Sequence, residues 1–223
     1  MRLSIGIVGL GVMGQRMLGR IEAHPRLQAA CVWDAEAKVP QRTLAACPAL
    51  RAAGSAAQLI AMPGLHSLYI ATPPTAHMAL SEAAFDAGLA VLCEKPLTAD
   101  FEAAQRCIAR IEHEGRRAPV NLSLASSPGL QTLQRAFGAG GQGLGRLQQV
   151  DVELTFSEWL QPWLAAAGPL LSQRAEGGFM REVQSHFIFV LQRMLGPASM
   201  RASAVAYPGN GVGAETALQA RLQ

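Results

Sequence analysis

The Glu94-Lys95-Pro96 step closes an apolar run, LAVLC, and of the 19 basic residues in the chain only Lys38 and Lys95 are lysines. An arginine keeps its proton at any physiological pH, whereas a partly desolvated lysine can release one. A lysine at the end of a buried run, in a chain that otherwise uses arginine, is therefore a candidate proton-transfer group. A surface lysine with a buried stem is the alternative. Pro96 disfavours helix at Lys95, so the side chain is held at the end of the run. A second candidate pair, Glu182 and His186, lies in GGFMREVQSHFIFVLQRMLG (177–196). Four residues apart on a helix, the two share a face, beside an apolar stripe of Phe179, Val183, Phe187, Val190, Leu191 and Met194. A neutral imidazole accepts a proton near pH 7 and a neighbouring carboxylate can hold it. A structural ion pair is the alternative.

A third element is the loop GLGVMG, with Gly9, Gly11 and Gly14 at G-x-G-x-x-G spacing. It follows the apolar run LSIGIVGL and opens a segment in which Val12, Met17, Leu18 and Ile21 recur at helical spacing. In a strand-turn-helix setting the first glycine permits the turn, the second admits a pyrophosphate to the backbone and the third lets helix and strand pack. Asp34 ends the next strand-like run, where a carboxylate accepts both hydroxyls of an adenosine ribose. A 2′-phosphate would be repelled there and no arginine follows at once, so NAD is expected over NADP. A turn carboxylate without a ligand is the other reading of Asp34.

These groups need a scaffold at whose strand ends they stand. Strand-like runs at 3–10, 27–34, 67–74, 89–94 and in APVNL alternate with helical segments at 11–22, 75–88 and 98–115. The helix at 75–88 is expected to start on a capping threonine and stop at Gly88, and the one at 98–115 to bury Phe101, Ala104, Ile108 and Ile111. The stretch 35–54 reads as a short helix and a loop. The alternation predicts an α/β fold, a doubly wound parallel sheet over 1–121, with ligands at the carboxyl ends of its strands. Beyond Asn121 the pattern changes: a helix at 128–137, a glycine-rich turn GAGGQGLG, a strand at 146–156, a loop carrying Trp159 and Trp163, a helix at 179–195 and strands MRASAVAY and TALQARLQ. This predicts a smaller, incomplete α+β unit over 122–223, for substrate binding and for homo-oligomerisation through its sheet, whose bare edge invites a partner.

Composition narrows the class. A net charge of +3 with scattered basic residues does not indicate nucleic acid. Cys31, Cys47, Cys93 and Cys107 are widely spaced without a CxxC pair and read as reduced thiols. His24, His66 and His113 have no partner pattern, and no spacing suggests a metal. No apolar segment reads as a membrane span and the N-terminus meets glycines too soon for a signal peptide, so a cytoplasmic protein is expected.

Taken in order, GIVGLGVMG, ATPPTAHMAL, CEKPLT and GGFMREVQSH resemble the Gfo/Idh/MocA family of oxidoreductases. The resemblance runs from Leu3 to about Gly196. It implies a Rossmann cofactor domain and a catalytic group falling on Lys95, Glu182 and His186. It also implies a cofactor site formed by Gly9, Gly11, Val12, Met13, Gly14, Asp34, Thr72, Pro73, His77, Glu94 and Lys95. Met13 and Met17 also read as core, and His77 as a packing or helix-end residue. Glutamate stands at 182 and glutamine at 184 where the family usually has aspartate and glycine, and the second unit reads as truncated relative to the family. The implied activity is hydride transfer between NAD(P) and a hydroxyl or carbonyl carbon of a sugar, polyol or related small molecule. The other functions in view are transient oxidation with a retained NAD, as in glycosidase-like relatives, and a weakly catalytic NAD(H) sensor or assembly protein.

Overall fold

The computed structural model describes residues 2–137, 149–154, 157 and 162–223. It divides into two compact units, Met1–Asn121 and Leu122–Gln223. The glycine-rich turn expected at 138–145, Trp159 and the side chain of Trp163 lie outside the described residues.

In the first unit the apolar runs become parallel strands because both faces of each are covered. The strands are β1 (Leu3–Val8), β2 (Leu27–Trp33), β3 (Arg51–Ala52), β4 (Ser67–Ile70), β5 (Ala90–Glu94) and β6 (Val120–Asn121). Between them run α1 (Val12–Glu22), α2 (Lys38–Ala46), α3 (Ala56–Ile60), α4 (His77–Asp86) and α5 (Phe101–Glu114). The sheet order is β3-β2-β1-β4-β5-β6, every pairing parallel. This is the doubly wound order, in which the order of strand addition reverses between β1 and β4. Alternate residues feed two cores. Val8, Leu68, Ile70, Val91 and Cys93 pack with Leu59, Met78, Phe85 and Cys107 on one face. On the other, Ile7, Val32 and Tyr69 pack with Leu18, Ile21 and Leu50.

Local chemistry sets the helix ends. The Asp100 side chain accepts from the Ala103 N–H at 3.0 Å to start α5, and Gly115, left-handed at φ 63°, ends it. Ser55 accepts from the Gln58 N–H at 3.0 Å to start α3. Arg110 of α5 ties the outer helices together, pairing with Glu82 and Asp86 of α4 and with Glu114 while lying 5.6 Å from the Phe85 ring centre.

Several expectations are corrected. The buried side of α5 is Cys107 with Ala103 and Ile111 beside it, whereas Phe101 is 76% exposed and Ile108 42%. Both stripes have helical spacing, and the cluster beneath α5 takes Ala103, Cys107 and Ile111. The helix at 75–88 begins as a short 3-10 turn, Pro74–Ala76, and α4 then starts behind Ala76 without a side-chain cap. The stretch 35–54 holds the edge strand β3 as well as α2. Of the strand expected at 146–156, residues 149–154 carry no regular secondary structure.

The second unit contains α6 (Pro128–Phe137), the short α7 (Gly168–Leu171), α8 (Ser185–Leu195) and an antiparallel pair, β7 (Met200–Ala206) and β8 (Ala217–Leu222). The expected helix at 179–195 is not α-helical throughout: Met180–Gln184 form a π turn that runs directly into α8. Every residue from Phe179 to Leu191 is half-buried, so no apolar stripe stands apart in burial. All of β7 is exposed. No helix among the described residues is long and apolar enough to cross a membrane.

All four cysteines are free thiols, and Cys31, Cys93 and Cys107 are buried. Burial, reinforced by the neighbouring Glu94 carboxylate, pushes the Cys93 thiol up to about 12. Because this value lies above that of the unfolded chain, the neutral thiol contributes stability below about pH 8.5 that is lost as pH rises towards 12. Iodoacetamide at pH 8.5 should therefore label Cys47 in the native chain and reach Cys93 only after denaturation, as peptide mass spectrometry will show.

Candidate cofactor and active site

The glycine loop leaves β1 at Gly9, whose φ of 91° is open to glycine without strain. A Cβ on Gly9 would strike the backbone of Ala71 and Thr72, and one on Gly14 would strike the Gly9 carbonyl oxygen. These two glycines allow β1, the exit of β4 and α1 to approach. Gly11 differs, since a Cβ there meets nothing within 4 Å. It is the N-cap of α1, a helix with no side-chain cap and no acidic residue in its first turn, so no side chain caps the backbone donors of that turn. Such an end attracts phosphate. Val12 and Met13, half-buried, form that turn.

Asp34 is held ready beside the loop. Its Oδ2 accepts from the Leu10 N–H at 2.7 Å and its Oδ1 from the Glu36 N–H at 2.9 Å, which leaves lone pairs on both oxygens for ribose hydroxyls. Thr72, past the end of β4, has a buried Oγ1 with no hydrogen-bond partner among the described residues. Pro73 beside it is exposed. An open N-terminal cradle, an oriented carboxylate and an unmatched hydroxyl on one edge fit a dinucleotide.

Lys95 stands at the same carboxyl edge, between two anchored neighbours. Glu94 is 4% exposed, and its Oε1 accepts from the Tyr69 hydroxyl and from Asn121 Nδ2 at 2.6 Å. Burial, with the Glu94 carboxylate adding to it, holds the Tyr69 phenol well above its usual range, so Tyr69 remains a donor. On the other side the Lys95-Pro96 peptide is cis, and the Pro96 and Leu97 carbonyls lie against His77. The sequence reading missed Tyr69 and Asn121. A tyrosine within a buried run is the available signal, since a buried phenol requires a partner.

In the second unit Glu182 and His186 lie on one continuous helical segment, Glu182 in the π turn and His186 in the first turn of α8. The Glu215 carboxylate accepts from the Met180 N–H at 2.7 Å, and a Cβ on Gly178 would collide with that carboxylate. Arg181 donates to the carbonyls of Arg174 at 2.7 Å and Gly177 at 3.0 Å. Gln184 lines a small cavity with Phe179, Glu215 and Leu218. Among the described residues no cluster of His, Cys, Asp and Glu could hold a metal.

Residues 3–122 match the family model Gfo/Idh/MocA, described as an oxidoreductase family with an NAD-binding Rossmann fold. The chain belongs to that family. It is 31% identical over 145 residues to an inositol 2-dehydrogenase of Saccharopolyspora erythraea, a match covering 63% of this chain and 42% of that protein. It is 34% identical over 111 residues to an inositol 2-dehydrogenase of Corynebacterium glutamicum, covering 48% and 32%. The chain thus matches less than half the length of either relative. The WlbA dehydrogenase of Bordetella pertussis, solved in complex with NADH and UDP-GlcNAcA, superposes with a TM-score of 0.81 at 21% identity, covering 100% of this chain and 67% of that one.

Two alanine variants separate packing from ligand approach. Gly14→Ala forces backbone apart and should cost about 2 kcal/mol, or about 4–8 °C in Tm for a chain of this size. Gly11→Ala should melt with the parent chain yet lose roughly tenfold in NADH affinity, because its methyl occupies the open cradle. Differential scanning fluorimetry and isothermal titration calorimetry on both variants check this.

Proposed function

We propose that the chain is an NAD-dependent dehydrogenase or reductase that acts on a CH–OH carbon of a sugar, polyol or related small molecule. The observation that carries this reading is Lys95, held between anchored neighbours on the same strand edge as the open glycine cradle. Membership of an NAD-binding oxidoreductase family supports it. The inositol dehydrogenases among its relatives make myo-inositol the first substrate to try. The first unit, 1–121, would bind the cofactor. The second, 122–223, would supply substrate contacts and the oligomer interface.

Gly9, Gly11, Gly14 and the first turn of α1 would hold the pyrophosphate, and Asp34 the adenosine ribose. The bound nicotinamide supplies the hydride acceptor or donor. A carbinol that loses hydride must also lose its hydroxyl proton, and His186 is the group suited to take it. Lys95 would stabilise the charge developing on that oxygen or relay the proton, and Glu182 would orient the imidazole or bind neighbouring hydroxyls. The Asp34 carboxylate opposes a 2′-phosphate, which favours NAD over NADP.

Calorimetric titration with NADH and NADPH at fixed salt tests the cofactor reading. NADH should bind at least about tenfold more tightly, and equal binding would remove the role given to Asp34. Lys95→Arg tests the chemistry. Arginine keeps the charge and cannot release the proton, so turnover of an accepted polyol should fall by about 10²-fold or more while NADH affinity stays within about twofold. Turnover that survives the change rules out proton relay by Lys95.

A further inference from the structure

Three carbonyl oxygens converge on one buried ring. His77 opens α4 and is 1% exposed. Its Nε2 lies 2.9 Å from the Thr72 carbonyl oxygen, and its Nδ1 lies 3.0 Å from that of Pro96 and 3.1 Å from that of Leu97. Carbonyls only accept, so the ring must donate: a neutral imidazole to one side, a ring with hydrogen on both nitrogens to both. The two sides belong to different strand exits. Thr72 follows β4, and Pro96 and Leu97 follow β5.

The ring meets the carbonyls of both exits, which an apolar side chain would leave without a donor. What the imidazole adds is a fixed spacing between the two exits. The Thr72 exit is the backbone against which Gly9 closes, and the other begins one residue past Lys95. On the near side of Lys95, Glu94 is fixed by Tyr69 and Asn121. His77 supplies the matching restraint on the far side.

We propose that His77 is a positioning residue that ties Thr72 to the Pro96-Leu97 segment and so sets where Lys95 stands relative to the glycine loop and to the nicotinamide end of a bound dinucleotide. Its ring nitrogens are spent on the chain's own carbonyls, so it acts through the backbone it holds. The proposal rests on the reading of Lys95 given above.

NADH and ADP-ribose make the test, because ADP-ribose keeps the adenosine and pyrophosphate and lacks the nicotinamide. With the full 223-residue chain, both affinities are measured by calorimetry, and NADH also by its fluorescence. The parent chain should prefer NADH. His77→Leu should reduce NADH affinity about tenfold, the scale of one lost hydrogen bond, and leave ADP-ribose affinity within about twofold. His77→Gln, which keeps a donor towards one side, should recover part of the loss, and it decides the matter if the leucine variant does not fold. Equal weakening of both ligands, or no weakening of either, would overturn the positioning role while leaving the Lys95 reading intact. A parent chain that binds the two ligands equally would show that the exits tied by His77 do not reach the nicotinamide, which overturns this proposal and leaves the proton-transfer reading of Lys95 to its own turnover test.

Discussion

Glu94 imposes the constraint from which the rest of the first unit follows. A carboxylate at 4% exposure must be met by donors, because burying it unpaired would cost several kcal/mol. Its donors come from the two flanking strands, Tyr69 on β4 and Asn121 on β6. Satisfying one buried group therefore locks three neighbouring strands in register at their carboxyl ends. Cys93 shows the reach of that charge, since its thiol is pushed up by burial and then further by the adjacent carboxylate. A sheet end stiffened in this way can present Lys95 at a defined place, which a strand fraying into a loop could not do.

The second condition is close approach at the point where sheet order reverses. Gly9 and Gly14 let β1, the β4 exit and α1 come within a distance that any Cβ would prevent. Asp34 then connects this turn to β2 by accepting from the Leu10 N–H. The carboxylate proposed to meet a ribose is thus part of the loop's own hydrogen-bond network. Sterics and electrostatics act on the same few residues, and the space beside Gly11 is open while its neighbours are tightly placed.

Most of the first unit was legible in the residues. Runs such as LSIGIV and AVLC have apolar side chains on both faces, which only a doubly covered strand can bury, and Gly9, Gly11 and Gly14 mark the turn. The α5 stripe was misread because Phe101, Ala104, Ile108 and Ile111 satisfy helical spacing as well as Ala103, Cys107 and Ile111 do, and only the cluster beneath α5 distinguishes them. The two-residue edge strand β3 is too short to show a pattern, whereas β6 falls inside the expected APVNL run. The carboxylate network was hidden for another reason: Tyr69, Glu94 and Asn121 are adjacent only through strand pairing. The π turn at Met180–Gln184 has no pattern of its own in the sequence, and the Glu215 carboxylate that meets the Met180 N–H at its start lies 35 residues away.

That π turn bears on the glutamate at position 182, where the resemblance to the family implies an aspartate. A glutamate carboxylate lies one methylene further from its backbone than an aspartate carboxylate. Bonding from residue i to i+5 inserts an extra residue into the turn and alters where each side chain leaves the helix. The Ser185 N–H bonds back to the Met180 carbonyl oxygen, five residues earlier, and this register brackets Glu182. A longer acid and a wider turn thus occur at one place. The Glu215 carboxylate meets the Met180 N–H at the start of the turn, and Arg181 within it donates to the Arg174 and Gly177 carbonyls that precede it. Side-chain length and backbone register are coupled here, so the effect of the longer acid has to be judged from the turn that carries it as well as from the residue itself.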